Sequence, residues 1–192
     1  TSTSTSSPQL STLVIAVGPV TVPSVVDRPE FVVSTGPNEV RLDDFNRWAS
    51  PLQDNLSRAI AENLVAILGT PRVVRFPQTL ATEPDYRVAI EVRTFESTPG
   101  KSTALDAVWT VRRTKDGKTS TGRTSARETV AEIGYDALAA AHSRAVARLS
   151  QDVANATLAL HGAREPRGET GSVRHFGAGG LPAQPRASHR SV

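Results

Sequence analysis

The chain has 192 residues, 38% hydrophobic and 5% aromatic, with a formal net charge of +3, a length that suits one domain with polar ends and a single core. The pI near 9.8 does not make the body a nucleic-acid binder, because residues 161–192 hold five arginines against two glutamates, which is the whole excess and leaves the body formally neutral. Cysteine is absent, which excludes a disulfide framework and a thiolate metal site, and no run approaches the roughly 18 to 20 apolar residues of a membrane-spanning helix.

Residues 1–11, rich in Ser and Thr, read as a polar spacer. Residues 12–22 are rich in β-branched side chains and predict a strand, in which Gly18-Pro19 marks a bulge or an edge position. Asp27-Arg28-Pro29 predicts a turn, and its residue types equally fit an ion pair closing a loop at an interface. Two short extended runs, 31–34 and 39–42, flank Gly36-Pro37-Asn38 and predict a hairpin. Residues 43–50 are then expected as a charged, aromatic loop carrying Arg47 and Trp48.

The loop leads into a helix. Ser50 suits the N-cap, Pro51 the first helical position, and Gln53 the reciprocal place of a capping box, while Gly69 closes the other end. Between them Leu52, Leu56, Ala59, Ile60, Leu64, Ile67 and Leu68 recur at intervals of three and four, one apolar stripe facing a core. A brief strand follows at 73–76. Residues 85–94 alternate, with Tyr86, Val88, Ile90 and Val92 on one face and Arg87, Ala89, Glu91 and Arg93 on the other. Leu105, Ala107, Trp109 and Val111 form the buried set of the next strand, which turns at Asp116-Gly117 into a polar edge strand at 119–130. A second helix is expected over 135–160, with Leu138, Ala141, Ala145, Leu149, Val153, Ala156 and Leu160 inward. These elements predict an α+β domain over 12–160, a largely antiparallel sheet with two main helices packed on one face. Residues 161–192 hold few large apolar side chains and read as a disordered basic tail.

Catalytic chemistry finds little support. His142 is the one histidine within the folded body, and its place on an alanine-rich helix fits a packed or surface residue. Asp43 and Asp44 are adjacent and point apart, no histidine pair has metal-ligand spacing, and the GAGG run at 177–180 lacks the Lys-Ser/Thr of a phosphate loop. No catalytic, cofactor-binding or metal residue is therefore expected. Trp48 has two readings: a staple packed on its own helix, or an anchor for a partner, with Arg47 beside it. Asp27, Arg28, Arg47 and Trp48 are the candidate partner-binding residues.

A resemblance rests on these same segments. The run Arg47-Trp48-Ala49-Ser50-Pro51-Leu52 with its helix, VGPVTVPSVVDRPEFV at 17–32 before it and GYDALAAAHSRAVARLSQDVA at 134–154 after it together resemble the PqiC-type family, auxiliary lipoproteins of ABC-type intermembrane transport. The resemblance covers about 13–160. It implies a non-enzymatic, homo-oligomeric subunit with no cofactor and no nucleic-acid partner. Its implied partners are an MCE-domain protein that bridges the envelope and the ABC transporter of the same system. It also implies attachment to the outer membrane, facing the periplasm, through a lipid anchor absent from this chain, with residues 1–11 as spacer. The competing expectation is a periplasmic carrier of a lipid or small apolar ligand.

Overall fold

The computed structural model describes residues 10–28, 30–36, 39–47, 50–77, 83–130, 132 and 134–162, with backbone alone at 31, 34, 35, 39, 40 and 42–47. Nine elements follow in order among the described residues: β1 (Ile15–Thr21), β2 (Glu30–Gly36), β3 (Glu39–Arg47), α1 (Leu52–Leu68), β4 (Val73–Arg75), β5 (Tyr86–Thr98), β6 (Ser102–Arg113), β7 (Thr119–Thr129) and α2 (Tyr135–Gly162). The main sheet has the order β4-β1-β5-β6-β7, and β2 with β3 forms a separate two-stranded ribbon.

The fold is α+β, with a mixed main sheet. Strands β5, β6 and β7 run antiparallel, as their tight hairpins require. Strand β1 is parallel to both of its neighbours, because the segments leading from it to β4 and β5 cross over the sheet through the ribbon and α1. Of the two readings of Gly18-Pro19, a bulge or an edge, the structure shows the bulge: β1 lies between β4 and β5, and its pairing with β5 slips between Val17 and Val20, where a missing donor does least harm. Strand β7 is an edge, as predicted.

Both helices cover one face of the sheet. Helix α1 packs on β1 and β4 and α2 on β6 and β7, so the seam between them lies over β5. The inward stripe of α1 is Leu52, Leu56, Ile60, Leu64 and Leu68, with Ala59 and Ile67 partly buried, and that of α2 is Leu138, Ala141, Ala145, Leu149, Val153 and Ala156, with Leu160 partly buried. Leu138 and Ala141 form a second cluster with Val33 of β2 and Val130, and the others meet Ile15 and Val17 of β1, Val88 and Ile90 of β5 and Leu105, Ala107 and Val111 of β6 in the main core.

Two helix ends differ from expectation. Pro51, with ψ of 139°, is itself the N-cap of α1, its carbonyl accepting from Asn55 N at 3.1 Å, and no side chain caps the helix. The extended Pro51 excludes itself from the first turn and places Ser50 one residue too early to cap, so the expected capping box does not form. Asn55 instead donates its side-chain amide to the Ser50 carbonyl at 2.9 Å. The other end is as read: Gly69 is left-handed (φ 68°) and donates to Val65 O at 3.0 Å. Helix α2 runs two residues past its expected end, held where Arg113 donates to Leu160 O at 2.5 Å and Tyr86 OH pairs with His161 Nδ1 at 3.2 Å. The rest of the expected tail, and residues 1–9 of the spacer, lie outside the described residues.

Candidate functional site

Three of the four candidate partner-binding residues, Asp27, Arg28 and Arg47, lie near one end of the ribbon. After β1 the chain turns over Pro23, whose carbonyl accepts from Val26 N at 3.0 Å and Asp27 N at 3.1 Å, and Asp27 and Arg28 emerge exposed. Two residues later Glu30 opens β2 opposite Arg47, the last residue of β3. The register thus brings Asp27, Arg28 and Arg47 to the same end, although they are far apart in sequence. Arg47 lies in a strand and not in a loop, because β3 runs on from the expected stop at 42 and takes Asp43 and Asp44 with it. Trp48 lies outside the described residues. Val25, 46% exposed, stands beside the turn and lines a hollow of about 130 Å3 with Val26, Val32, Arg93 and Phe95.

A larger groove, about 470 Å3, lies in the seam between the helices. Residues of the first part of α1 and of α2 line it together, and at its edge Asn63, which also lines it, donates from Nδ2 to Ser150 Oγ at 3.1 Å, so the helices run in the same direction. Its floor comes from an irregularity in β5. Up to Val92 the even-numbered residues face the helices, but an extra residue between Val92 and Thr94 shifts the register against β6 and turns Phe95 and Ser97 inward. A slip of one residue reverses the faces of all that follow.

His142 of α2 stacks on Phe95, centroids 3.9 Å apart and planes at 11°. It is 3% exposed, its Nε2 lies 2.8 Å from Ser97 Oγ, and its Nδ1 has no hydrogen-bond partner among the described residues. Burial lowers its pKa from 6.5 to about 4, so the ring is neutral at physiological pH. The sequence left His142 as either a packed or a surface residue, and the structure buries it; neither Phe95 nor Ser97 beneath it, nor the groove, was legible. No signal for the groove exists in the helix stripes, which look complete; it lies between the two helices and needs both to be placed. Among the described residues no cluster of His, Asp and Glu has metal-binding geometry, and no helix is long and apolar enough to cross a membrane.

A family model described as the ABC-type transport auxiliary lipoprotein component matches residues 1–154. The chain belongs to this family. As a member, it is an auxiliary component of ABC-type transport and an envelope-associated protein, and the PqiC-type resemblance agrees with this membership. No curated protein matches it. Among solved structures, an uncharacterised protein is 21% identical with a TM-score of 0.65, over 74% of this chain and 90% of its own. A Xanthomonas campestris protein of the DUF330 family is 20% identical with a TM-score of 0.64, over 77% and 85%. At these identities the likeness shows a shared fold alone. The auxiliary-lipoprotein match ends within α2, so it takes in the whole sheet, the ribbon and both walls of the groove.

Proposed function

We propose that this chain is a non-enzymatic docking subunit of the PqiC type, which holds the end of an envelope-spanning MCE-domain protein at the periplasmic face of the outer membrane in an ABC-driven lipid transport system. The carrying observation is the ribbon end. Asp27, Arg28 and Arg47 converge there on a hairpin that is not part of the main sheet, and Asp27 and Arg28 are exposed. A ladder fixes the backbone of such a ribbon while leaving its end free for contact, a usual arrangement for recognition. Arginine suits a partner's acidic or carbonyl groups, and Trp48, next in the sequence after Arg47, would supply an aromatic anchor. Several copies forming a collar around one partner would multiply a modest interface into a lasting one. A lipid anchor holds the collar to the membrane, so the reaction proper, nucleotide hydrolysis, stays with the ABC subunit.

The test is capture of the soluble envelope domain of the MCE-domain partner by the immobilised chain. Trp48→Ala is expected to weaken capture about thirtyfold or more, and Arg28→Glu with Arg47→Glu to weaken it further, with circular dichroism unchanged. Folded variants that capture the partner as the parent does would remove the ribbon end from the interface.

A further inference from the structure

The end of the main sheet where the N-terminal segment enters is basic. Register places the starts of β1, β4 and β5 together there, with the end of β6, the 114–118 hairpin and the start of β7. Both helices finish at the same end: Thr70, just past α1, donates from Oγ1 to Leu13 O at 2.7 Å, and Arg113 of β6 holds Leu160 O of α2 at 2.5 Å. Among the described residues six cations lie here, Arg72, Arg87, Arg112, Arg113, Lys115 and Lys118, all exposed apart from Arg113, against the carboxylates of Glu83, Asp85 and Asp116, an excess of +3. Residues 1–160 are formally neutral as a whole, so the opposite excess lies elsewhere on the body and the basic pole is local. Arg87 and Arg112 stand directly opposite each other across β5 and β6, where like charges repel, and Glu83, 3.7 Å from Arg87, is exposed and offsets little. The helix dipoles do not reverse the sign, since Gly69 N–H and Arg113 each take one of the terminal carbonyls.

We propose that this end rests on the headgroups of an anionic phospholipid surface, with the ribbon end pointing away from it. The route of the chain favours this occupant over an acidic protein. Leu10 to Leu13 lead into β1 here, Leu13 N donating to Leu10 O at 3.2 Å and Arg72 reaching Thr12 O at 3.5 Å. The family is one of lipoproteins, and an N-terminal lipid brings this end of the domain to the bilayer before any other. The inference takes from the docking reading only the side on which that lipid lies. The chain beyond α2, with a further excess of +3, leaves from the same end, since Tyr86 holds His161. A lipid chain with a basic surface beside it is the two-signal arrangement of stable membrane anchoring. Each cation near an anionic bilayer raises affinity about fivefold, and the attraction fades within a Debye length of about 8 Å. Asp27 and Arg28 follow the far end of β1, and the turn before them shares a hollow with Arg93 and Phe95 of β5, roughly 25 Å along the strand from Tyr86. The docking residues are thus held clear of the membrane.

The test is co-sedimentation of the full chain, bearing no lipid, with vesicles of phosphatidylcholine containing one-third phosphatidylglycerol and with vesicles of phosphatidylcholine alone. The chain is expected to bind the anionic vesicles, to be released as salt is raised, and to ignore the neutral ones. Arg112→Glu with Lys115→Glu is expected to weaken binding at least about twentyfold while the segment beyond α2 is unchanged. Lys101→Glu with Arg127→Glu makes the same change in net charge toward the opposite end of the sheet and is expected to alter binding by less than about twofold. If the first pair loses its circular dichroism, Arg112→Gln with Lys115→Gln carries the test, with a loss of about tenfold or more. Equal losses in the two reversed pairs would reduce the effect to net charge, and unchanged binding in a folded Arg112 pair would assign it to the segment beyond α2. Either result overturns the proposal, as does a chain that ignores the anionic vesicles while binding poly-glutamate. Capture of the MCE-domain protein is measured without vesicles, so neither reading falls with the other.

Discussion

At His142, burial beside Phe95 takes the pKa from 6.5 to about 4. Between those values the unfolded chain binds a proton that the folded chain refuses, so stability is complete above pH 6.5 and declines as pH falls toward 4, by about 3 kcal/mol over the window. Urea unfolding of the parent and of His142→Phe at pH 7.5, 5.5 and 4.5 should show a steeper loss in the parent; equal slopes would mean that the ring is hydrated. Trp109 depends on a different neighbour. It pairs across the strands with Gly122, where an added Cβ would stand 2.2 Å from the indole, and its Nε1 donates to Thr124 Oγ1 at 3.0 Å, which donates in turn to Asp152 Oδ2 at 2.6 Å. Gly122→Val must expel the indole and break that chain, and is expected to cost about 2 to 4 kcal/mol with loss of the near-ultraviolet tryptophan signal.

The elements show where sequence periodicity suffices. In α1 the inward leucines follow from spacing alone, and Leu56→Ala or Leu64→Ala is expected to cost about 2 to 5 kcal/mol, against under about 0.5 for Arg58→Ala, whose side chain is exposed. The start of that helix tells otherwise. Ser50→Ala should change stability by less than about 0.5 kcal/mol, although a capping serine would cost about 1, because no side chain caps α1; chemical denaturation separates the two outcomes. In β5 the alternation was readable to Val92 and then failed, since one inserted residue reverses the faces and no local signal announces it. The parallel pairings of β1 were equally hidden, because register between distant strands is set by tertiary crossover and not by a turn. The β6–β7 hairpin, by contrast, was fixed by Asp116-Gly117, with Gly117 at φ 71° and Asp116 held well below the usual carboxylate range by Arg113.

For the molecule as a whole, family membership was legible because its segments are contiguous runs in the sequence, whereas the site was only partly so. Asp27 and Arg28 could be named as an exposed turn, but that Arg47 lies at the same end required the ribbon register. The groove required the placement side by side of two helices that each look finished in isolation. A docking subunit must associate, with itself and with its partner, through surface that folding leaves unused. The most direct measurement is native mass spectrometry of the chain alone and mixed with the soluble envelope domain of the proposed MCE-domain partner. The account predicts subunit multiples of the chain and a complex with the partner at defined stoichiometry, lost on Trp48→Ala. A chain that stays monomeric at every concentration and forms no complex with the partner would contradict it.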